Sequence, residues 1–330
     1  MLRWGFLGTS FISHTMARAI ANSDNSQLLA VYGRDPGRLQ AFASEYGVAR
    51  CYESIEALAA DADVDVVYVG LPNDVHAAAV ISVAAQGKAI LCEKSLTTDR
   101  DDANALARAV SQSGAFFVEG LMYLSHPLIA AFGDVIASGR LGRLRTISAT
   151  YAADIWNVVN PNGGGTIFNL GCYPASLLHY VLQTAFGDGA FSQRQMSAFG
   201  NRSSKDGNIC DTTALVQFES GLLASLASTD SFGMSHDFTV RGELGSVRFV
   251  TNPWLPVAGE NSFEVEIYGQ APEKTVLISR YDAFDSQVQM VENCLGNGRT
   301  EAPRPSPRMR DSLDIMGFLT EWQALAAKTA

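Results

Sequence analysis

Two stretches of this chain carry side chains that could move a proton beside a carbonyl oxygen. The first is Cys92-Glu93-Lys94-Ser95, which ends a short apolar run. An ammonium at the carboxyl end of a strand can donate to a substrate oxygen and favour ionisation of a nearby acid. A Glu-Lys pair standing alone is equally an exposed ion pair. The second stretch runs from Gly163, Gly164 and Gly165 through Asn169 to Tyr173 and Pro174. Three glycines let a backbone approach a ligand and begin a helix. Asn169 and Tyr173 are four residues apart and share one helix face. An amide and a phenol on that face could orient and protonate a carbonyl oxygen. A glycine loop followed by a core tyrosine fits the same residues.

A third stretch suits a phosphate chain. Gly5-Phe6-Leu7-Gly8-Thr9-Ser10-Phe11-Ile12 lies between an apolar run and a helix-spaced segment. A tight turn there presents backbone N–H groups at a helix N-terminus to a pyrophosphate. Gly8 is the candidate for the turn, with Thr9, Ser10, Phe11 and Ile12 following it along the cofactor. The usual fingerprint has glycine where Ser10 stands, and Ser10 also suits a helix cap. An ordinary capped turn is the plainer reading; the surrounding alternation of strands and helices favours the dinucleotide. The next strand ends in Gly33-Arg34-Asp35. An acidic residue at that point accepts the ribose 2′-hydroxyl of NAD, whereas arginine suits the 2′-phosphate of NADP. Arg34, with Arg38 one helical turn on, brings two guanidiniums to one phosphate and favours NADP(H). NAD(H) stays open, because Asp35 can also turn toward a ribose. Leu71, Pro72, Asn73 and His76 follow another strand and join the cofactor candidates, as do Glu93 and Lys94. Asn73 is also a plain helix cap, and His76 a plain surface histidine.

The elements that must position these residues are legible from apolar periodicity. Strands are predicted at Trp4 to Leu7, Leu28 to Tyr32, Val64 to Val69, Ala89 to Cys92 and Phe116 to Val118. Helices are predicted at Phe11 to Ala21, Pro36 to Tyr46, Val75 to Gln86 and Asp99 to Gln112. Fully apolar strands separated by helices give an α/β fold, a doubly wound parallel Rossmann sheet with its ligand at the carboxyl ends of the strands. Beyond residue 120 the pattern turns to longer β-type runs. They are Arg143 to Tyr151, Met196 to Asn201, Ala214 to Phe218, Leu222 to Thr229, His236 to Gly242, Ser246 to Val250 and Phe263 to Tyr268. One helix, Ile167 to Gln183, interrupts them, and two more close the chain near Ser286 to Leu295 and Pro307 to Ala326. This predicts a C-terminal α+β domain with an open, mostly antiparallel sheet. The boundaries are 1–120 for the dinucleotide domain and 121–330 for a substrate-binding and oligomerisation domain, the last helix packing back on the first domain. A homodimer or homotetramer follows if the sheet leaves one face open.

The balance of the sequence narrows the function classes. Hydrophobic residues make up 47% and charged residues 18%, enough apolar material for two cores in 330 residues. A formal net charge of −10 repels nucleic acid and anionic membranes, so a small polyol or sugar-like molecule is the expected partner. Cys51, Cys92, Cys172, Cys210 and Cys294 are scattered without ligand spacing, which predicts no metal and a reducing compartment. No stretch reads as a leader or a membrane span, so a soluble, cytoplasmic protein is expected.

Taken in order, these motifs resemble the Gfo/Idh/MocA family, named for glucose–fructose oxidoreductase, inositol dehydrogenase and a rhizopine-catabolism protein. The matches are the Gly8 turn, Pro72-Asn73 with His76, Glu93-Lys94, Met122-Tyr123 with His126-Pro127, and the glycines followed by Gly171 and Tyr173. The resemblance covers essentially the whole chain. It implies NAD(P)-dependent oxidoreduction of a hydroxyl on a sugar, cyclitol or dihydrodiol. It also implies that Lys94 polarises the substrate oxygen and that Tyr173 is the acid/base, with Asn169 beside it and Tyr123 on the substrate. Trp156 is expected either to wall the substrate pocket or to pack in the core. Tyrosine at position 173 and the opening Leu2-Arg3-Trp4-Gly5 are similar to the branch of dimeric dihydrodiol dehydrogenases and NADP-dependent xylose dehydrogenases. Three positions depart from the family pattern. Ser95 stands where the motif has proline, Asn169 where aspartate is usual, and Leu124 where an arginine is often found. A dinucleotide-binding sugar sensor without turnover and an NAD-dependent glycosidase are the alternative functions within the same resemblance.

Overall fold

The computed structural model describes all 330 residues. Its first sheet is built from β1 (Leu2–Leu7), β2 (Ser26–Tyr32), β3 (Arg50–Tyr52), β4 (Val66–Val69), β5 (Ala89–Glu93) and β6 (Phe117–Gly120). The helices between them are α1 (Phe11–Ala21), α2 (Pro36–Tyr46), α3 (Ile55–Ala59), α4 (His76–Ala84) and α5 (Arg100–Ser113). The strands run parallel in the order β3-β2-β1-β4-β5-β6, the Rossmann arrangement. β4 and β5 are buried along their whole length, as apolar runs covered on both faces must be. Asp35 caps α2 by accepting from Arg38 N–H, and Gly47 ends that helix at φ 64°.

The second half forms α6 (Pro127–Ala137), β7 (Leu144–Ala153), α7 (Cys172–Phe186), β8 (Arg194–Arg202), β9 (Ile209–Phe218) and β10 (Leu223–Thr229). It continues with β11 (Met234–Gly242), β12 (Gly245–Phe249), β13 (Gly259–Ile267) and β14 (Glu273–Ser279), then α8 (Ala283–Gly296) and α9 (Met309–Ala326). Its eight strands lie in the order β14-β13-β12-β11-β7-β10-β9-β8. β7 and β10 are parallel, and every other pair is antiparallel. One face buries Ile147, Ala149, Leu226, Phe238 and Val240 beneath α6 and α7. Phe132 of α6 stacks on Phe249 at 4.5 Å between ring centres.

By contact the chain divides into Met1–Met122 with Phe284–Leu313, and Tyr123–Ala283 with Asp314–Ala330. Residues 284–313, read from sequence as part of the second domain, therefore belong with the first. The reason is visible in the core: Val288, Val291 and Cys294 of α8 are buried with Trp4, Phe6, Met16 and Ile20. The last helix divides, its first turn lying with the first unit and Asp314 onward with the second. Four elements have no counterpart in the sequence reading. β3 and α3 are three and five residues long, too short for a period to show. α6 is apolar on several sides, which hides its helical stripe. β14 is an edge strand without a single buried residue.

A polar chain runs through the first unit's core. Trp4 Nε1–H donates to Ser26 Oγ at 2.9 Å, and Ser26 and Ser23 both donate to the Glu292 carboxylate of α8. Replacing Ser26 with alanine strands the buried indole N–H and one carboxylate contact. The expected cost is about 1–3 kcal/mol of unfolding free energy, read as a lowered urea midpoint with an unchanged slope.

Candidate active site

In the first unit the loops at the carboxyl ends of β1, β2 and β4 enclose a cavity of about 590 Å³. Gly8, Thr9, Ser10, Gly33, Arg34, Arg38, Leu71 and Pro72 all line it. Gly8 has φ 108°, and a Cβ there would lie 2.7 Å from the Gly70 carbonyl oxygen, so only glycine fits. Its N–H donates to Tyr32 O at 2.8 Å, and Gly70 N–H to Leu7 O at 2.9 Å. Arg38 Nη2 donates to Thr9 O at 3.0 Å, which ties the second helix to the first turn. The Asp35 carboxylate is engaged as the α2 cap. Ser10 takes the N-cap position of α1 but caps nothing; its hydroxyl faces Gly70 O at 3.4 Å. A backbone cradle that a Cβ would fill, beside two guanidiniums, fits the phosphates of a dinucleotide.

The remaining first-unit candidates are not among the residues that line that cavity. Phe11 is 65% exposed and Ile12 half-buried. Asn73 begins a short 3₁₀ turn, Asn73–Val75, whose N-cap position is taken by Pro72. His76, read as a surface residue or a cofactor contact, is wholly buried. Its Nε2 lies 2.8 Å from Leu71 O and its Nδ1 3.1 Å from Ser95 O; a neutral ring carries one N–H and donates to one of the two. Burial holds its pKa below the usual histidine value. Glu93 is buried as well, accepting from Tyr68 Oη–H at 2.9 Å and from Lys94 N–H at 3.2 Å. Its carboxyl carbon occupies the space over Gly120 where a Cβ would approach to 3.4 Å. Burial raises its pKa, against the pull of Lys94 and the Tyr68 hydrogen bond. Lys94 itself is half-buried at the end of β5, and the Lys94–Ser95 peptide bond is cis. Glu119 on β6 was missed by sequence reasoning. It is buried, its Oε2 has no hydrogen-bond partner, and burial pushes its pKa up to about 7.

In the second unit the glycine stretch is stitched to the sheet. Gly164 and Gly165 have φ 81° and 82°, and a Cβ on Gly165 would lie 2.4 Å from Ile209 O. Thr166 Oγ1 and Ser228 Oγ are 2.8 Å apart. The helix predicted from Ile167 opens instead as a π-helical turn, Ile167–Gly171, before α7. Such turns are frequent at functional sites. Asn169 lies on this turn, and its Nδ2 donates to Asp230 Oδ2 at 2.9 Å. Asp230, just past the end of β10, is a second group that sequence reasoning missed. Burial pushes its carboxyl up to about 6.

Tyr173 stands on the first turn of α7 among Tyr123, Tyr151 and Trp254, with ring centres 5.1 to 6.3 Å away. Burial pushes the Tyr151 phenol up to about 12. Tyr123, expected on the substrate, is wholly buried. Its hydroxyl bonds Tyr173 O at 3.0 Å and Ser176 Oγ at 2.7 Å, so it braces the backbone of the helix that carries Tyr173. His126 of the His-Pro pair caps α6, its Nδ1 accepting from Leu128 N–H. Trp156 is half-buried on a cavity of about 490 Å³, with Lys205 Nζ 5.0 Å from its ring centre. It is therefore not a core residue, and Asn169 and Tyr173 do not line that cavity. No group of three or more His, Cys, Asp or Glu side chains is arranged to hold a metal ion.

Gly8→Ala should cost on the order of tenfold in dinucleotide affinity, because the turn must open to admit the methyl group. Titration of NADPH fluorescence against wild type and variant checks this, with circular dichroism as the control for folding.

Residues 2–121 match the family model described as "Oxidoreductase family, NAD-binding Rossmann fold", and residues 129–248 match the "GFO/IDH/MocA C-terminal domain". Among curated proteins, the trans-1,2-dihydrobenzene-1,2-diol dehydrogenase of Bos taurus is 29% identical over 315 residues, covering 92% of this chain and 90% of its own. The enzyme of that name from Oryctolagus cuniculus is 28% identical over 306 residues, covering 91% and 90%. Among solved structures, the open form of the 3-ketoreductase KijD10 from Actinomadura kijaniata, in complex with TDP-benzene and NADP, superposes with a TM-score of 0.83 at 24% identity, covering 98% of this chain and 97% of its own. An aldose-aldose oxidoreductase from Caulobacter crescentus gives 0.84 at 20% identity, covering 100% and 98%. At those identities the structures establish the shared fold. The two family models and the full-length relatives agree with the cradle at Gly8 and the strand order around it: the chain is an oxidoreductase of the Gfo/Idh/MocA family.

Proposed function

We propose that the protein is an NADP(H)-dependent dehydrogenase or reductase acting on a hydroxyl or carbonyl of a dihydrodiol, sugar or cyclitol. The observation that carries the substrate class is the likeness to dihydrodiol dehydrogenases along nine-tenths of both chains. In this reading the first unit binds the dinucleotide and the second the substrate. The cofactor preference rests on Arg34 and Arg38 lining the Gly8 cavity while Asp35 serves as a helix cap. A 2′-phosphate fits two guanidiniums; Asp35 lines the same cavity with Oδ1 engaged as the α2 cap.

When bound, the nicotinamide supplies or accepts the hydride. The chain's own groups handle the oxygen. In the reductive direction Lys94 stabilises the negative charge growing on the carbonyl oxygen, and Tyr173 delivers the proton. In the oxidative direction Tyr173 takes that proton back. Asn169 holds a neighbouring hydroxyl; an amide can accept and donate hydrogen bonds but cannot take a proton. Glu93, fixed by Tyr68 and seated over Gly120, orients the backbone on which Lys94 stands.

The same reading makes the protein cytoplasmic and a homo-oligomer. No helix is long and apolar enough to cross a membrane, and all five cysteines are free. The outer face of the second sheet exposes Phe199, Leu215 and Leu223 at 62%, 55% and 48%, which supports pairing through that face. Light scattering behind a sizing column measures the assembly.

The function is tested with NADP⁺ or NAD⁺ and a panel containing trans-1,2-dihydrobenzene-1,2-diol, D-xylose and myo-inositol, followed at the NADPH absorbance. A wild-type rate with at least one compound is expected. Lys94→Met and Tyr173→Phe should each lose about 100- to 10,000-fold in turnover while still binding NADPH. Full activity in both variants would sink the assignment. Arg34→Ala should weaken NADPH by about tenfold or more and leave NADH within about twofold, the loss of one charge-assisted contact. Equal weakening of both cofactors would remove Arg34 from the 2′-phosphate.

A further inference from the structure

Asn169 stands where the family usually has an aspartate, and a buried carboxyl lies directly behind it. The Asn169 Nδ2 donates to Asp230 Oδ2 at 2.9 Å. Asp230 is wholly buried, and its other oxygen, Oδ1, has no hydrogen-bond partner. The backbone at 230 is fixed on both sides, its N–H donating to Cys210 O and its carbonyl accepting from Ile155 N–H, each at 3.2 Å. An acceptor left half-satisfied in the interior costs stability and calls for a reason. The neighbouring acid offers a contrast. Asp211 Oδ1 is satisfied by the hydroxyls of Thr229 and Ser231, at 2.6 and 2.8 Å.

We infer that Asp230 is a positioning residue for the reaction, and that it returns to the second unit's site the ionisable carboxyl that Asn169 lacks. Ionised, Asp230 accepts from the Asn169 amide and fixes which end of that amide faces it. The amide NH₂ is thus turned toward Asp230, and the side chain is held in that one sense. Protonated, the carboxyl gains a donor and loses acceptor capacity, so the amide is no longer held in that sense. The inference rests on the proposed placement of Asn169 and Tyr173 on the substrate side.

The charged surroundings set the direction of the pH response. The titratable groups acting on Asp230 are Asp206, before β9, and Cys210 and Asp211 on β9; Asp154 lies next to Ile155, beyond the end of β7. The π-turn contributes only the neutral Asn169. Burial raises the carboxyl to about 6, and Asp206 and Asp211 act in the same direction against the Asn169 hydrogen bond. Turnover that needs the ionised form therefore falls as pH drops through about 6.

The test is the pH profile of kcat/KM with the panel compound that wild type turns over fastest, trans-1,2-dihydrobenzene-1,2-diol being the first probe. Wild type should fall below about 6, by at most about tenfold per pH unit, and level off toward the plateau of Asp230→Asn. Asp230→Asn should have a flat acid limb and a lowered plateau. Asn169→Asp sets two carboxyls on one proton and should move the limb up by about a unit or more. If both variants keep the wild-type limb, the inference is overturned. A second readout needs no substrate and covers poor behaviour of either variant. A carboxyl with a raised folded value stabilises the fold below its unfolded value and loses that contribution as pH rises. The wild-type chain should thus lose stability to urea between about 4 and 6 relative to Asp230→Asn, or to Asp230→Ser should the first not fold. Identical pH slopes also overturn the inference. A wild-type chain inactive on every panel compound counts against the proposed substrate class, while the unfolding slopes still decide the titration of Asp230.

Discussion

At the carboxyl ends of a parallel sheet the last backbone groups of each strand must find partners in the turns that follow, and the first unit is organised by that need. Beyond Leu7 the chain turns at once, so Gly8 N–H reaches Tyr32 O while Leu7 O takes the N–H of Gly70. The approach is so close that position 8 admits no side chain. Arg38 serves Thr9 O, and His76 stands between the carbonyls of Leu71 and Ser95. The Gly8, Gly70 and Arg38 bonds each join segments that follow or end different strands. The cavity at the strand ends is therefore a consequence of satisfying the backbone. The start of α1 and two arginines line it, the kind of lining that suits an anionic ligand.

Buried carboxyls form the second theme, and the two units treat them alike. Glu93 is held in the first unit by Tyr68 and by the backbone of the next residue, over a glycine that leaves it room. Asp230 is held in the second by a single amide. In both, desolvation works against the charge, and hydrogen bonds only partly offset it. A group so placed responds to small changes around it. That is useful beside proton transfer and a burden elsewhere, since leaving a buried charge unpaired costs several kcal/mol. Arg50 and Asp61 show the ordinary use of charge. Their 2.7 Å pair with Tyr52 and Asp63 keeps Asp61 at about 2, far from any proton exchange near neutrality.

What could be read from sequence follows from what periodicity encodes. α1 matches its predicted limits through its apolar stripe alone, and α2 through a cap at Asp35, a first-turn proline and a stop at Gly47 that coincide in a short span. β3 and α3 carry too few residues to repeat anything, and β14 is an edge strand with one half-buried face and no fully buried residue, so its alternation is faint. Residues 284–313 were assigned to the wrong neighbour for a different reason. Nothing local tells α8 which core its apolar face will join; that is decided by packing against Trp4 and Ile20, more than 260 residues away in the chain. The cavity at the strand ends is legible because glycines and arginines mark it directly. The supporting shell is not: a histidine between two carbonyls and a tyrosine bracing a helix look like site residues until their partners are seen.

Asn169 shows how a substitution can move chemistry rather than remove it. Read along the chain, it trades an acid for an amide and subtracts a charge from the motif. In three dimensions that amide is bonded to an acid from the far end of a different strand. The π-turn makes this possible by presenting Asn169 toward the end of β10, with Thr166 and Ser228 fixing the start of the turn to the same strand. A signal for Asp230 did exist in the sequence. Ser228-Thr229-Asp230-Ser231 is a polar run closing an otherwise apolar-alternating strand, and an acid there ends up buried. Without the register between β9, β10 and the π-turn, nothing distinguishes it from a solvated turn. The departure from the family pattern and the unexplained buried acid are thus one observation, and each supplies the physical reason for the other.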